Sequence, residues 1–194
     1  MSGNGDGRTG IRPTPSVVAE IPLLGEILAD HAADIGGDLT AYRNHTFRLA
    51  NVCLALVGSP DQTATEKIAI AAAFHDLGIW TAHTFDYLEP SVALAESWLA
   101  ASGRGAWSAE IAEMIRQHHK ISPYREHPDW LVEPFRRADW ADVTGGLLRS
   151  GLPRAFIRDL YRRWPDAGFH RLLVKLELRH LRRHPLNPLP VFKL

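Results

Sequence analysis

Apolar residues recur along this chain at spacings of three and four rather than two, so the pattern is helical from end to end. A first helix is predicted from Pro22 to about Ile35, stopping at Gly36-Gly37. Thr40 is placed to cap a second helix that reaches about Val57, ahead of Gly58-Ser59-Pro60. Thr63 and Glu66 have the T-x-x-E spacing of a capping box at the head of a third helix. That helix is apolar almost all round from Ile68 to Phe74, the mark of an element buried on most sides, and is expected to end at Gly78. Residues 79–89 read as loop. Pro90 suits the first turn of a fourth helix ending near Gly103, and a fifth runs from about Ser108 to His119. Pro123 and Pro128 keep the next stretch irregular, and further helices are expected at about 130–148, 153–163 and 166–183. Strand signals are almost absent: there is no sustained alternation and no Asn-Gly hairpin. The expected fold is therefore all-α, a single-domain helical bundle. Residues 1–15 read as a flexible leader, 16–150 as the main domain, and 151–194 as basic helices packed on it or extending it.

Composition supports this and narrows the setting. At 194 residues, 45% apolar and 23% charged, the chain suits one ordinary globular domain. A single cysteine, Cys53, excludes an intramolecular disulfide and a thiolate metal cluster; lying among Val52, Leu54 and Leu56, it reads as a small core residue. No signal peptide is legible and no run approaches the roughly 18 apolar residues of a membrane span, so a cytoplasmic protein with no membrane partner is expected. The formal net charge is zero, yet before residue 151 lysine and arginine number 12 against 19 acidic residues, while the remainder is strongly basic. Such a tail draws in an anionic substrate, binds nucleic acid, or docks on the acidic body of its own or a neighbouring subunit. Docking, with a homo-oligomer as one form of it, is the plainest reading; nucleic acid is not the expected partner.

Candidate chemistry sits on the apolar faces of these helices. His45 shares a face with Leu49, Val52 and Leu56, and His75-Asp76 ends the most buried helix. His118 lies on the stripe of Ile111, Met114 and Ile115, and Asp139 is flanked four residues either way by Phe135 and Val143. Each residue alone has an ordinary explanation: a hydrogen-bonded core histidine, or an aspartate paired with Arg136 or Arg137. Together they suggest a shared cation, because unpaired carboxylates are costly in apolar surroundings.

The succession of His45, His75-Asp76 and Asp139 on successive helices resembles the H, HD and D pattern of the HD superfamily. Ala73-Phe-His-Asp-Leu-Gly78 is similar to that family's central motif, and the resemblance covers roughly residues 40–145. It implies a helical bundle of the HD type, a divalent metal held by His45, His75, Asp76 and Asp139, and hydrolysis of phosphate esters, especially of nucleotides. The acidic pair that follows the doublet in (p)ppGpp hydrolases is missing, as is the Gly-Tyr-Pro signature of cyclic-di-GMP phosphodiesterases. Dinuclear relatives add two histidines. His118-His119 is similar to one such position, while Glu89 and His83 are the candidates for the other, so one metal is favoured over two. Other relatives hydrate small nitrogen compounds or carry two irons for oxygenase chemistry.

Nitrogen and oxygen ligands suit Mn²⁺, Fe²⁺, Co²⁺, Ni²⁺ or Zn²⁺. On this reading Asp76 holds or deprotonates a metal-bound water, and His118 and His119 supply a proton or a positive contact to the leaving group. Arg48, Arg116 and Lys120 are candidate phosphate clamps for a small anionic substrate, with solvated surface charge as the alternative. Trp80, Phe85 and Tyr87 either line a substrate pocket or plug the end of the bundle. His180 and His184, one turn apart in a basic helix, read as a solvated face.

Overall fold

The computed structural model describes residues 15–82 and 86–175, and among them every regular element is a helix. These are α1 (Pro22–Asp30), α2 (Ala32–Ile35), α3 (Leu39–Val57), α4 (Gln62–Phe74), α5 (Gly78–Thr81), α6 (Leu88–Ala101), α7 (Ser108–Gln117), α8 (Val132–Val143) and α9 (Arg154–Arg163). A further helix begins at residue 169 and runs to the edge of the described part. The architecture is an all-α bundle. No helix among the described residues is long and apolar enough to cross a membrane.

The bundle is organised around α4. Its residues Ile68 to Phe74 are all buried, and it packs on α1, α3, α6 and α7. Four alanines in that run, Ala69 and Ala71 to Ala73, keep the surface low, so neighbours approach from every side. The C-terminal end of α4 therefore opens into the middle of the protein, which is where His75 and Asp76 follow. Helix α3 lies along α4 and α8, bringing His45 opposite both, and α7 lies against α8. The segment after Gly151 folds back, with α9 against α3.

Several boundaries differ from the pattern-based expectation. The first predicted helix is two, broken at His31, whose backbone leaves helical geometry at φ −101°, ψ 11°. Thr40 lies inside α3 rather than capping it, since that helix continues from a 3₁₀ turn at Gly36–Asp38. The cap of α4 is Asp61, whose carboxylate accepts from Ala64 N at 2.7 Å. Glu66, assigned to a capping box, instead accepts from Arg104 and Gln62. Helix α4 ends at Phe74, α6 starts at Leu88 with Pro90 in its first turn as expected, and the predicted loop contains α5. Helix α8 spans only Val132–Val143 of the predicted 130–148. Residues 1–14 of the predicted leader, His83, Phe85, His180, His184 and positions 176–183 of the last basic helix lie outside the described residues.

Gly78 does more than end a helix. A Cβ there would meet the Tyr87 carbonyl oxygen at 2.5 Å and Ser91 N at 3.0 Å, because the start of α6 crosses directly over it. Its own amide donates to Ser91 Oγ at 2.9 Å. Gly78→Ala is expected to destabilise the protein by about 1–3 kcal/mol, since backbone must move to admit one methyl group. Chemical denaturation measures this; a change below about 0.5 kcal/mol would mean the crossing is not tight.

Candidate metal centre

Six of the singled-out side chains converge where α3, α4, α7 and α8 meet. Three histidines are oriented by the atoms behind them. His75 Nδ1 lies 2.9 Å from the Ala72 carbonyl and His118 Nδ1 lies 2.6 Å from the Ile115 carbonyl. A carbonyl only accepts, so in both rings Nδ1 carries the proton. His45 Nδ1 donates to Asp142 Oδ2 at 2.7 Å. In a neutral imidazole the other nitrogen then holds a lone pair, so all three Nε2 atoms point inward as potential ligands.

The inner face is electron-rich. His45 Nε2 and His75 Nε2 are 3.0 Å apart, lone pair against lone pair if both rings are neutral. Asp76 Oδ2 lies 3.2 Å from His75 Nε2 and 4.0 Å from His45 Nε2, and Asp139 Oδ1 lies 3.7 Å from His45 Nε2. His118 Nε2 is 3.4 Å from Asp76 Oδ1, and both of these buried atoms lack a hydrogen-bond partner. Two ligands at about 2.1 Å from one cation stand roughly 3–4 Å apart, depending on the angle between them. The donor set and its spacings fit a divalent ion. Two triads share Asp76: His45, His75 and Asp76 form one, and Asp76, His118 and His119 the other.

The supports behind these groups were less visible in the sequence. Tyr42, three residues before His45, donates its hydroxyl to the Ala73 carbonyl at 3.0 Å and accepts from Asp76 N at 3.3 Å, fixing the doublet's turn. Asp142 accepts from Arg48 Nε at 2.6 Å and from its second guanidinium nitrogen at 2.8 Å. Arg48 is thus fully buried, which corrects the expectation of a phosphate clamp or a solvated charge. Its spacing of three from His45 matches that of Asp142 from Asp139, so each pair shares one helix face; that was the available signal.

Other expectations are also revised. Arg116 makes a two-pronged ion pair with the exposed Glu89 at 2.9 Å, so its guanidinium is already engaged by a carboxylate. Asp139 does not pair with Arg136 or Arg137, which bind Glu133 and Ser150 instead. Trp80 packs on Tyr42 with ring centroids 4.7 Å apart and donates to Asp38. His119 Nδ1 lies 3.5 Å from Asp139 Oδ2, and its Nε2 shares a 2.6 Å hydrogen bond with the Tyr87 hydroxyl. Lys120 follows it, partly exposed.

Burial and charge set the protonation states. Burial, outweighing the Asp142 hydrogen bond, pushes His45 down to about 4, and burial beside His118 holds His119 well below the ordinary imidazole value. His119 is therefore a neutral ring, which corrects its expected role as a positive contact. Burial would raise Asp76, but a proton on the facing His75 or His118 ring, in the absence of a cation, holds its carboxyl well below the usual range. Burial raises Asp139 to about 8, against His118 and with help from the Asp76 and Asp142 charges.

Because Asp139 sits above its unfolded value, the metal-free native state holds the extra proton as pH rises toward about 8. Stability then falls with rising pH. His45, depressed to about 4, acts in the opposite sense below its unfolded value of about 6.5. From about pH 6.5 to 8 the chelated protein should lose up to ~2 kcal/mol. The Mn²⁺-loaded protein should not, since a ligated carboxylate is already deprotonated. Melting curves across that range, with and without chelator, check this; parallel profiles would contradict it.

No protein-family model, curated protein or solved structure matches the chain.

Proposed function

We propose that the chain is a metal-dependent phosphohydrolase of the HD type, acting on a small phosphorylated molecule such as a nucleotide. The observation that carries this reading is the facing pair of His45 and His75 Nε2 atoms at 3.0 Å, beside unpartnered Asp76 Oδ1 and His118 Nε2. A neutral protein pays for such a cluster in repulsion and desolvation unless a cation occupies it. His45, His75, Asp76 and Asp139 would hold the first ion, one of Mn²⁺, Fe²⁺, Co²⁺, Ni²⁺ or Zn²⁺.

Such an ion, when bound, supplies a water of lowered pKa and a polarised phosphoryl oxygen. Asp76, ionised at neutral pH because its carboxyl is held well below the usual range, would hold that water as an anionic partner. The Tyr87–His119 hydrogen bond offers a proton path for the leaving group, with both groups neutral. Of the three candidate clamps, Arg48 and Arg116 are engaged elsewhere, and Lys120, next to His119, is the one proposed to meet a substrate phosphate.

The shared Asp76 favours a second reading in which two ions are bound and not one. Two irons in that arrangement would also suit oxygenase chemistry. Phosphate release from a panel of nucleotides and phosphomonoesters, with Mn²⁺, Ni²⁺, Co²⁺ or Fe²⁺, tests the leading reading. Metal-stimulated release that vanishes in Asp76→Ala supports it. No release from metal-loaded protein, with oxygen consumed instead, would move the assignment to the oxygenase.

A further inference from the structure

His45 is held from a part of the chain outside the stretch that carries the ligand pattern. The Phe169 ring stacks on the His45 ring, centroids 4.0 Å apart and planes within 12°. Both side chains are almost completely buried. The turn before Phe169 supplies two carbonyls to Arg48: one terminal nitrogen donates to Trp164 O at 2.9 Å and to Pro165 O at 3.1 Å. Asn44, adjacent to His45, donates to the same Pro165 carbonyl at 2.8 Å. The rest of the Arg48 guanidinium grips Asp142, which receives the His45 Nδ1 proton at 2.7 Å. Tyr161 closes the arrangement, lying under the Arg48 guanidinium at 4.5 Å and donating to the Asp142 carbonyl at 3.0 Å.

We propose that residues 164–170 are positioning residues for the metal centre, with Phe169 fixing the face of the His45 ring and the Trp164 and Pro165 carbonyls fixing its edge through Arg48 and Asp142. An imidazole has two ways to lose ligand geometry: it rotates about its side-chain bonds, or its proton moves to the other nitrogen. The stacked Phe169 opposes the first, and the Asp142 carboxylate opposes the second. Arg48 keeps that carboxylate ionised and aimed, and it is itself held by backbone oxygens that do not titrate. Residues 164–170 are thus part of the site, not an appendage on the domain.

This rests on the metal reading above, and its test separates the two. Phe169→Leu removes the ring while keeping apolar bulk, Phe169→Tyr retains the ring, and Asp142→Asn removes the charged acceptor. In metal-free protein, nitrogen-15 NMR should give His45 one ring environment protonated at Nδ1. Phe169→Leu and Asp142→Asn should each give more than one, and Phe169→Tyr should behave as the unaltered chain does. Calorimetric Co²⁺ affinity should fall roughly 10–100-fold in Phe169→Leu and Asp142→Asn, and stay within about threefold in Phe169→Tyr. A lowered melting temperature in Phe169→Leu, with the His45 spectrum unchanged and Co²⁺ affinity within twofold, would mean the segment only packs, and would overturn the proposal. If the unaltered protein binds no Co²⁺, the metal reading fails, while the His45 spectra still decide whether Phe169 and Asp142 position the ring.

Discussion

Replacing Asp142 by alanine is expected to destabilise the protein by about 3–5 kcal/mol, the cost of leaving a buried guanidinium without its counter-charge. Arg48 is completely buried, and both carboxylate oxygens of Asp142 are engaged by it at 2.6 and 2.8 Å. On its far side the remaining terminal nitrogen donates to the Trp164 and Pro165 carbonyls, which carry no counter-charge. Asp142→Asn keeps one good acceptor and should cost less. The double variant Arg48→Met/Asp142→Ala, which removes both charges, should recover much of the loss. Urea unfolding of the three variants measures this. A single-variant cost under about 1 kcal/mol would mean the pair is far better hydrated than its burial indicates.

If the proposed function holds, replacing His75 and Asp76 together by alanine should leave a folded, helical protein without metal binding or metal-dependent phosphate release. The fall in rate is expected to be on the order of 10³-fold or more, since the ion contributes several kcal/mol of transition-state stabilisation. The fold should survive because the pair sits after the end of α4, in a turn anchored separately by Tyr42 and by the Gly78–Ser91 contact. Removing two polar groups from the cluster also relieves the close approach of His45 to His75. Circular dichroism together with phosphate release checks both parts. Retained release in the folded double variant would remove the doublet from the chemistry.

Much of this arrangement is legible along the chain, for a definite physical reason. A residue that must be buried has to lie on an apolar face, so the stripes around His45, His118 and Asp139 and the all-round apolar α4 report burial directly. What periodicity does not report is the partner across the bundle. Arg48 is indistinguishable by type from a solvated arginine, and its burial depends on Asp142, 94 residues away, and on carbonyls further still. Phe169 reads as one more core aromatic until the fold lays it on His45. Local details fail for a different reason. Asp61 and Thr63 are both good caps by residue type, so type alone does not choose between them. The break at His31 has no glycine or proline to announce it.

The inward-facing imidazoles and carboxylates are proposed to hold a metal. Elemental analysis of protein purified without added metal, beside the His75→Ala/Asp76→Ala variant, tests it most directly. Near-stoichiometric Mn, Fe, Co, Ni or Zn in the unaltered protein, and none in a variant that is still helical, is the predicted result. Protein that carries no metal as purified, and takes none up on reconstitution with each of these ions, would contradict it.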